Sequence, residues 1–121
     1  MANSVVDRCP DAVRAYLALA SGEDRTAATP LFAEDVHVTD DGTDHRGRAE
    51  IREWLDRVAG EFSYTTTPIS ADGDAASDRV SVRCRIEGNF PGGVVDLDYC
   101  FRLDAAGRLA SLVIAPAVDQ G

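Results

Sequence analysis

Apolar residues at Val13, Tyr16, Leu17 and Ala20 follow the i, i+3, i+4, i+7 spacing of one buried helical face, and Pro10 just ahead suits a first helical turn. The pattern predicts a helix ending near Ser21 and Gly22. Asp24 can cap a second short helix through Ala28; Pro30 cannot continue it without losing a backbone hydrogen bond, so Leu31 to Ala33 is expected to form a separate turn. Val36 to Asp40 alternates apolar and polar residues as a strand does, and the run from Asp40 to Asp44 has the composition of a loop. From Ala49 to Ala59 the residues Ile51, Trp54, Leu55 and Val58 repeat the helical stripe, with Gly60 suited to the left-handed position after its end.

The remaining residues read as an antiparallel meander, with strands near 62–70, 79–89, 94–103 and 108–115. With Pro91 and Gly92 at the hairpin tip, Ile86, Cys84 and Val82 fall opposite Leu97, Tyr99 and Phe101 on one apolar face, which Ala110, Leu112 and Ile114 extend. The opposite face carries Arg83, Arg85, Glu87, Asp96, Asp98 and Arg102, with Arg85 expected to meet Asp98. Nothing else in the chain can cover the apolar face, so the three helices must. The expected architecture is one α+β domain, a cup of three N-terminal helices on a curved antiparallel sheet. Because a long meander curls, its concave side can hold a cavity.

Composition narrows the function. With 12 basic against 21 acidic residues and a formal charge of -9, the chain would repel phosphate backbones and anionic lipid headgroups. Nucleic acid and membrane partners are therefore not expected. Every basic residue is arginine, so no lysine can form a Schiff base. No apolar run approaches the roughly 20 residues of a membrane helix, and the start has no basic segment leading into a long apolar one; a cytoplasmic location is expected. Cys9, Cys84 and Cys100 are odd in number and widely spaced, which argues for reduced thiols over a disulfide framework. Neither His37 nor His45 has ligand spacing, and neither a metal nor another cofactor is expected.

The order of elements, together with the segments AVRAYLALASGED, LFAEDVHVTD, RGRAEIREW and YCFRLDAAGRLASLVI, resembles the nuclear transport factor 2-like superfamily, particularly ketosteroid isomerases and SnoaL-like polyketide cyclases. The resemblance spans about residues 10–115 and is more specific for fold than for activity. It implies that Tyr16 corresponds to the tyrosine that hydrogen-bonds the substrate carbonyl, and Asp40 to the general-base aspartate closing the first strand. Where ketosteroid isomerases carry a protonated aspartic acid, this chain has Tyr99. A phenol is neutral at pH 7 and can donate to the same oxygen, but its ring fills space that a steroid needs.

Strand parity places Asp40 with Val36 and Val38, facing the apolar interior, and turns His37 and Thr39 away. Val38, Trp54, Val58, Cys84, Ile86, Leu112 and Ile114 are the expected cavity wall; Trp54 also serves as plain core, and Cys84 reads as a small apolar filler. His45, in a charged loop, is expected at the surface. The resulting expectation is a cofactor-independent isomerase or cyclase acting on a small hydrophobic carbonyl compound, with Asp40 moving the proton and Tyr16 and Tyr99 stabilising an enolate. Two alternatives stand beside it: a non-catalytic binding module for an apolar metabolite, and an accessory or protein-interaction domain using the outer sheet face. The resemblance also implies a homodimer.

Overall fold

A computed structural model describes residues 6–20, 25–40, 42–61, 64–73 and 76–117. Helix α1 covers Asp11–Ala20; its first turn is closed by the Val13 and Arg14 amides, both donating to the Pro10 carbonyl. Val13, Tyr16 and Leu17 form the buried stripe that the spacing predicted. The second short helix is a 3₁₀ segment, Arg25–Leu31, which accommodates Pro30 in its last turn. The predicted third helix is α2, Gly47–Glu61, so among the described residues the three expected helices are two α-helices and one 3₁₀ segment.

Six strands follow the order β2-β1-β6-β5-β4-β3, with β1 at Phe32–Asp40, β2 at Thr43–Arg46, β3 at Tyr64–Asp72, β4 at Arg79–Gly88, β5 at Val94–Leu103 and β6 at Leu109–Pro116. The sheet is curved and mixed, not wholly antiparallel: β1 runs parallel to β6, and every other neighbouring pair is antiparallel. Alternation along β4 buries Val80, Val82, Cys84 and Ile86 on one face and leaves the arginines on the other. Those four residues pack with Phe101, Leu109, Leu112 and the helical stripes into one core. Cutting a fully buried member such as Leu112 to Ala would cost about 2–5 kcal/mol.

Three local readings are corrected. The segment Leu31–Ala33 is not a separate turn: Leu31 ends the 3₁₀ segment, and Phe32 and Ala33 open β1 as buried residues. A register irregularity between Phe32 and His37 breaks the two-residue alternation there, which hid the strand. The run 40–44 is not all loop either, because Thr43 and Asp44 begin β2 and pair back onto Asp40 and Thr39. Helix α2 continues through Gly60 to Glu61. Its start is fixed from both sides: Gly47 adopts φ +80°, a left-handed conformation that favours glycine, and the Arg46 amide donates to Glu50 Oε1 at 2.9 Å.

The β4–β5 register is shifted by two residues from the sequence expectation. Gly88 donates its amide to the Gly93 carbonyl, and Gly93 to that of Phe90, so the turn is four residues wide. Cys84 consequently faces Leu97, Val82 faces Tyr99, and Arg85 meets Asp96, not Asp98. A shift of two preserves which face each residue occupies, so the apolar and charged faces survive intact.

Candidate active site

Strand register builds the site. Asp40 on β1 pairs with Ile114 on β6, Ile114 with Tyr99 on β5, and Tyr99 with Val82 on β4. Paired residues on adjacent strands share a face, and Ile114, Tyr99 and Val82 are buried beneath the helices. The backbones of Asp40 and Tyr99, two strands apart, are separated by about 10 Å. Val38, Leu112, Phe101 and Val80 form the neighbouring row.

Helix α2 lies over β1 and delivers Trp54 to the end of that strand. The indole Nε1–H donates to Asp40 Oδ2 at 3.0 Å, fixing one oxygen of a half-buried carboxylate. Behind it, His45 stacks on the indole at 5.6 Å with 27° between ring planes. His45 is only 8% exposed, contrary to the expected surface placement. Its pairing with Val38 across the β1–β2 ladder turns it to the same inner face. His37, of opposite parity, points outward with Nε2 3.2 Å from Asp44 Oδ1. A hydrogen bond from Thr39, then one from His37, holds the Asp44 carboxyl below its usual range.

Tyr16 enters from α1. Its ring meets Phe32 edge-on at 5.8 Å and Phe101 at 5.7 Å, and lies 6.3 Å from the ring of Tyr99. Burial pushes its phenol well above the ordinary 10, with further upward contributions from Tyr99, Tyr64, Asp40 and Cys84. The hydroxyl therefore stays protonated at neutral pH, and the Asp40 charge lies within electrostatic reach of it. Tyr64, the first residue of β3, belongs to this group although the sequence reading did not single it out. Its position at a strand end gave no periodic signal.

Cys84 is fully buried, and burial, then Asp98, pushes its thiol up to about 12. It packs within the hydrophobic core. Val38, Trp54, Ile86, Leu112 and Ile114 are likewise buried on the inner face. The Val58 side chain lies outside the described residues. Among the described residues no three His, Cys, Asp or Glu side chains are grouped to hold a metal ion, and no helix is long and apolar enough to cross a membrane. Two surface depressions lie on the outer face of the sheet, and a third lies between the start of α1 and the β5–β6 turn. Tyr16 and Tyr99 are 3% and 4% exposed, so both rings are buried. The arrangement holds a carboxylate oriented by a hydrogen bond and, beyond it, two phenols, the two kinds of group that proton transfer beside a carbonyl uses.

The family model of the SnoaL-like domain matches residues 13–112. Among solved structures, a proposed polyketide cyclase from Sinorhizobium meliloti is 35% identical, with a TM-score of 0.79 over 88% of this chain and 94% of that one. A protein of Catenulispora acidiphila with a ketosteroid isomerase-like fold, solved in complex with trimethylamine, is 23% identical, with a TM-score of 0.77 over 90% of this chain and 87% of that one. The epoxide hydrolase/cyclase-like enzyme SalBIII of salinomycin pyran ring formation is 19% identical and superposes with a TM-score of 0.74 over 89% of each chain. The last two likenesses establish shared fold only. No protein of curated function matches the chain.

Proposed function

Since the chain belongs to the SnoaL-like domain family, we propose that it is a cofactor-independent isomerase or cyclase acting on a small hydrophobic carbonyl compound. Asp40 removes a proton from the carbon next to the carbonyl: the C–H bond breaks, an O–H bond forms on the carboxylate, and the electron pair moves to the carbonyl oxygen. Tyr16, assisted by Tyr99, donates to the resulting enolate oxygen. Return of the proton at another carbon gives an isomer. Attack of the enolate carbon on a second carbonyl of the same molecule gives a ring, and the proton then goes to the new alkoxide.

The observation supporting this reading most strongly is the Trp54–Asp40 hydrogen bond, which leaves Oδ1 for the substrate while Oδ2 is held. Charge balance supports it as well. As Asp40 becomes neutral the enolate becomes negative, so the low-polarity interior holds one negative charge throughout and is never asked to hold two.

Asp40→Asn tests the reading, because it keeps shape and the Trp54 contact but removes the base. Turnover should fall by about 10²–10⁴-fold with ligand affinity retained; unchanged turnover refutes the role. Retained binding by a wild-type protein that turns over nothing would establish the non-catalytic binding module instead. A homodimer is part of this reading, and light scattering across a wide concentration range tests it.

A further inference from the structure

On the outer face of the sheet, β4 and β5 oppose each other residue by residue. Arg85 stands opposite Asp96 and Arg83 opposite Asp98, and both pairs are closed by guanidinium–carboxylate hydrogen bonds, of 3.0 and 2.9 Å. On the next outward rung Ser81 meets Cys100, with Oγ 3.2 Å from Sγ. The rung after that breaks the pattern, because Arg79 stands opposite Arg102. Like charges directly opposite on neighbouring strands are destabilising. Among the described residues neither of these guanidinium groups has a carboxylate within ion-pairing distance. The same rung continues through Ser111 on β6 and His37 on β1 to Arg46 on β2, so polar and cationic side chains cross the sheet in line.

A depression in this face is bordered by Arg79, Ser81, Cys100, Arg102 and Ser111, with Asp72 at its edge. Among the described residues that line it, two arginines stand against one aspartate, in a chain whose formal charge is -9. We propose that this depression is a binding site for a tetrahedral oxyanion, a phosphate group free or carried on a small molecule. A guanidinium presents a fork of N–H donors matched to such oxygens, and the hydroxyls of Ser81 on β4 and Ser111 on β6 add two more donors. A tetrahedral anion can accept from four directions, which suits four donor groups on three strands better than a planar carboxylate does. It would also replace the repulsive Arg79–Arg102 rung by two ion pairs, completing the ladder that Asp96 and Asp98 complete elsewhere. This site lies on the opposite side of the sheet from Asp40 and is independent of the proposed catalysis.

Thermal unfolding tests it, with inorganic phosphate replacing chloride at constant ionic strength and neutral pH. Phosphate raises the Tm of many proteins through exclusion from their surfaces, so the Arg79→Gln/Arg102→Gln double variant supplies the baseline. Well above the dissociation constant, the wild-type Tm should rise on the order of 5 °C more than that of the double variant. Arg102→Asp should raise the Tm in chloride, by giving Arg79 a partner, and abolish the extra phosphate response. Equal phosphate responses in wild type and double variant overturn the proposal. Glycerol phosphate serves as a second probe: a larger response than to inorganic phosphate assigns the site to a phosphorylated metabolite, and an equal one to the free anion.

Discussion

The indole N–H of Trp54 lies 3.0 Å from Oδ2 of Asp40, and through that bond helix α2 fixes the orientation of the acid at the end of β1. Phenylalanine at position 54 keeps most of the packing and the face presented to His45 but cannot donate. Trp54→Phe should lose about 1–3 kcal/mol of stability, the range for a hydrogen bond to a charged group that is partly solvated. In the proposed reaction its kcat should fall while KM changes little, since the base is loosened and the binding walls remain. Urea unfolding and steady-state kinetics on the same preparation check both.

Tyr16→Phe removes one donor and leaves the ring contacts with Phe32, Phe101 and Tyr99 in place. Stability should change by less than about 1.5 kcal/mol. Turnover should fall by about 10²-fold or more, as when one oxyanion donor is deleted. A Tyr99→Phe variant measured alongside shows how far the second phenol shares that role.

The three cysteines should react very unequally. Cys100 is exposed, whereas Cys9 and Cys84 are buried and burial pushes both thiols up, Cys84 to about 12. From 9.0 to about 12 means about 10³-fold less thiolate at a given pH. Iodoacetamide under native conditions should therefore add one group per chain, at Cys100, with the other two reacting only on unfolding. Intact-mass spectrometry with peptide mapping reads the outcome.

Folding depresses two exposed carboxyls: Asp96, chiefly through its hydrogen bond from Arg85, and Asp44, chiefly through that from Thr39. A carboxyl that titrates lower when folded contributes stability above its unfolded value of 3.8, and that contribution is lost as pH falls through the lower folded value. Urea midpoints should thus fall between pH 5 and pH 2.5. Asp96→Asn should fall less over the same interval, and salt should shrink the difference, because the pair is exposed.

Elements with an uninterrupted period were legible in the sequence. The stripes Val13–Tyr16–Leu17 and Ile51–Trp54–Leu55 and the alternation Val80–Val82–Cys84–Ile86 each gave the element and its buried face. Phe32 and Ala33 were not legible as strand because the irregularity before His37 breaks the alternation. His45 was misplaced because four polar or charged residues, Thr43 to Arg46, look like loop until β1 is present to pair with them. Partner choice across β4 and β5 depended on turn width, which composition leaves open: Gly88 to Gly93 can close around two residues or four. Of the site, the parity that puts Asp40 inward was readable, whereas the Trp54 bond was not, since it joins residues on separate elements. Tyr64 shows the same limit, because only tertiary packing brings a strand's first residue near Tyr16.

The central claim is that Asp40 takes a proton from a carbon beside a carbonyl, and solvent deuterium wash-in measures that step without requiring the natural substrate. In heavy water, small apolar enolisable ketones should gain deuterium at that carbon faster with wild-type protein than in buffer, and with Asp40→Asn the gain should return to the buffer rate. Equal incorporation with wild type and Asp40→Asn would contradict the account.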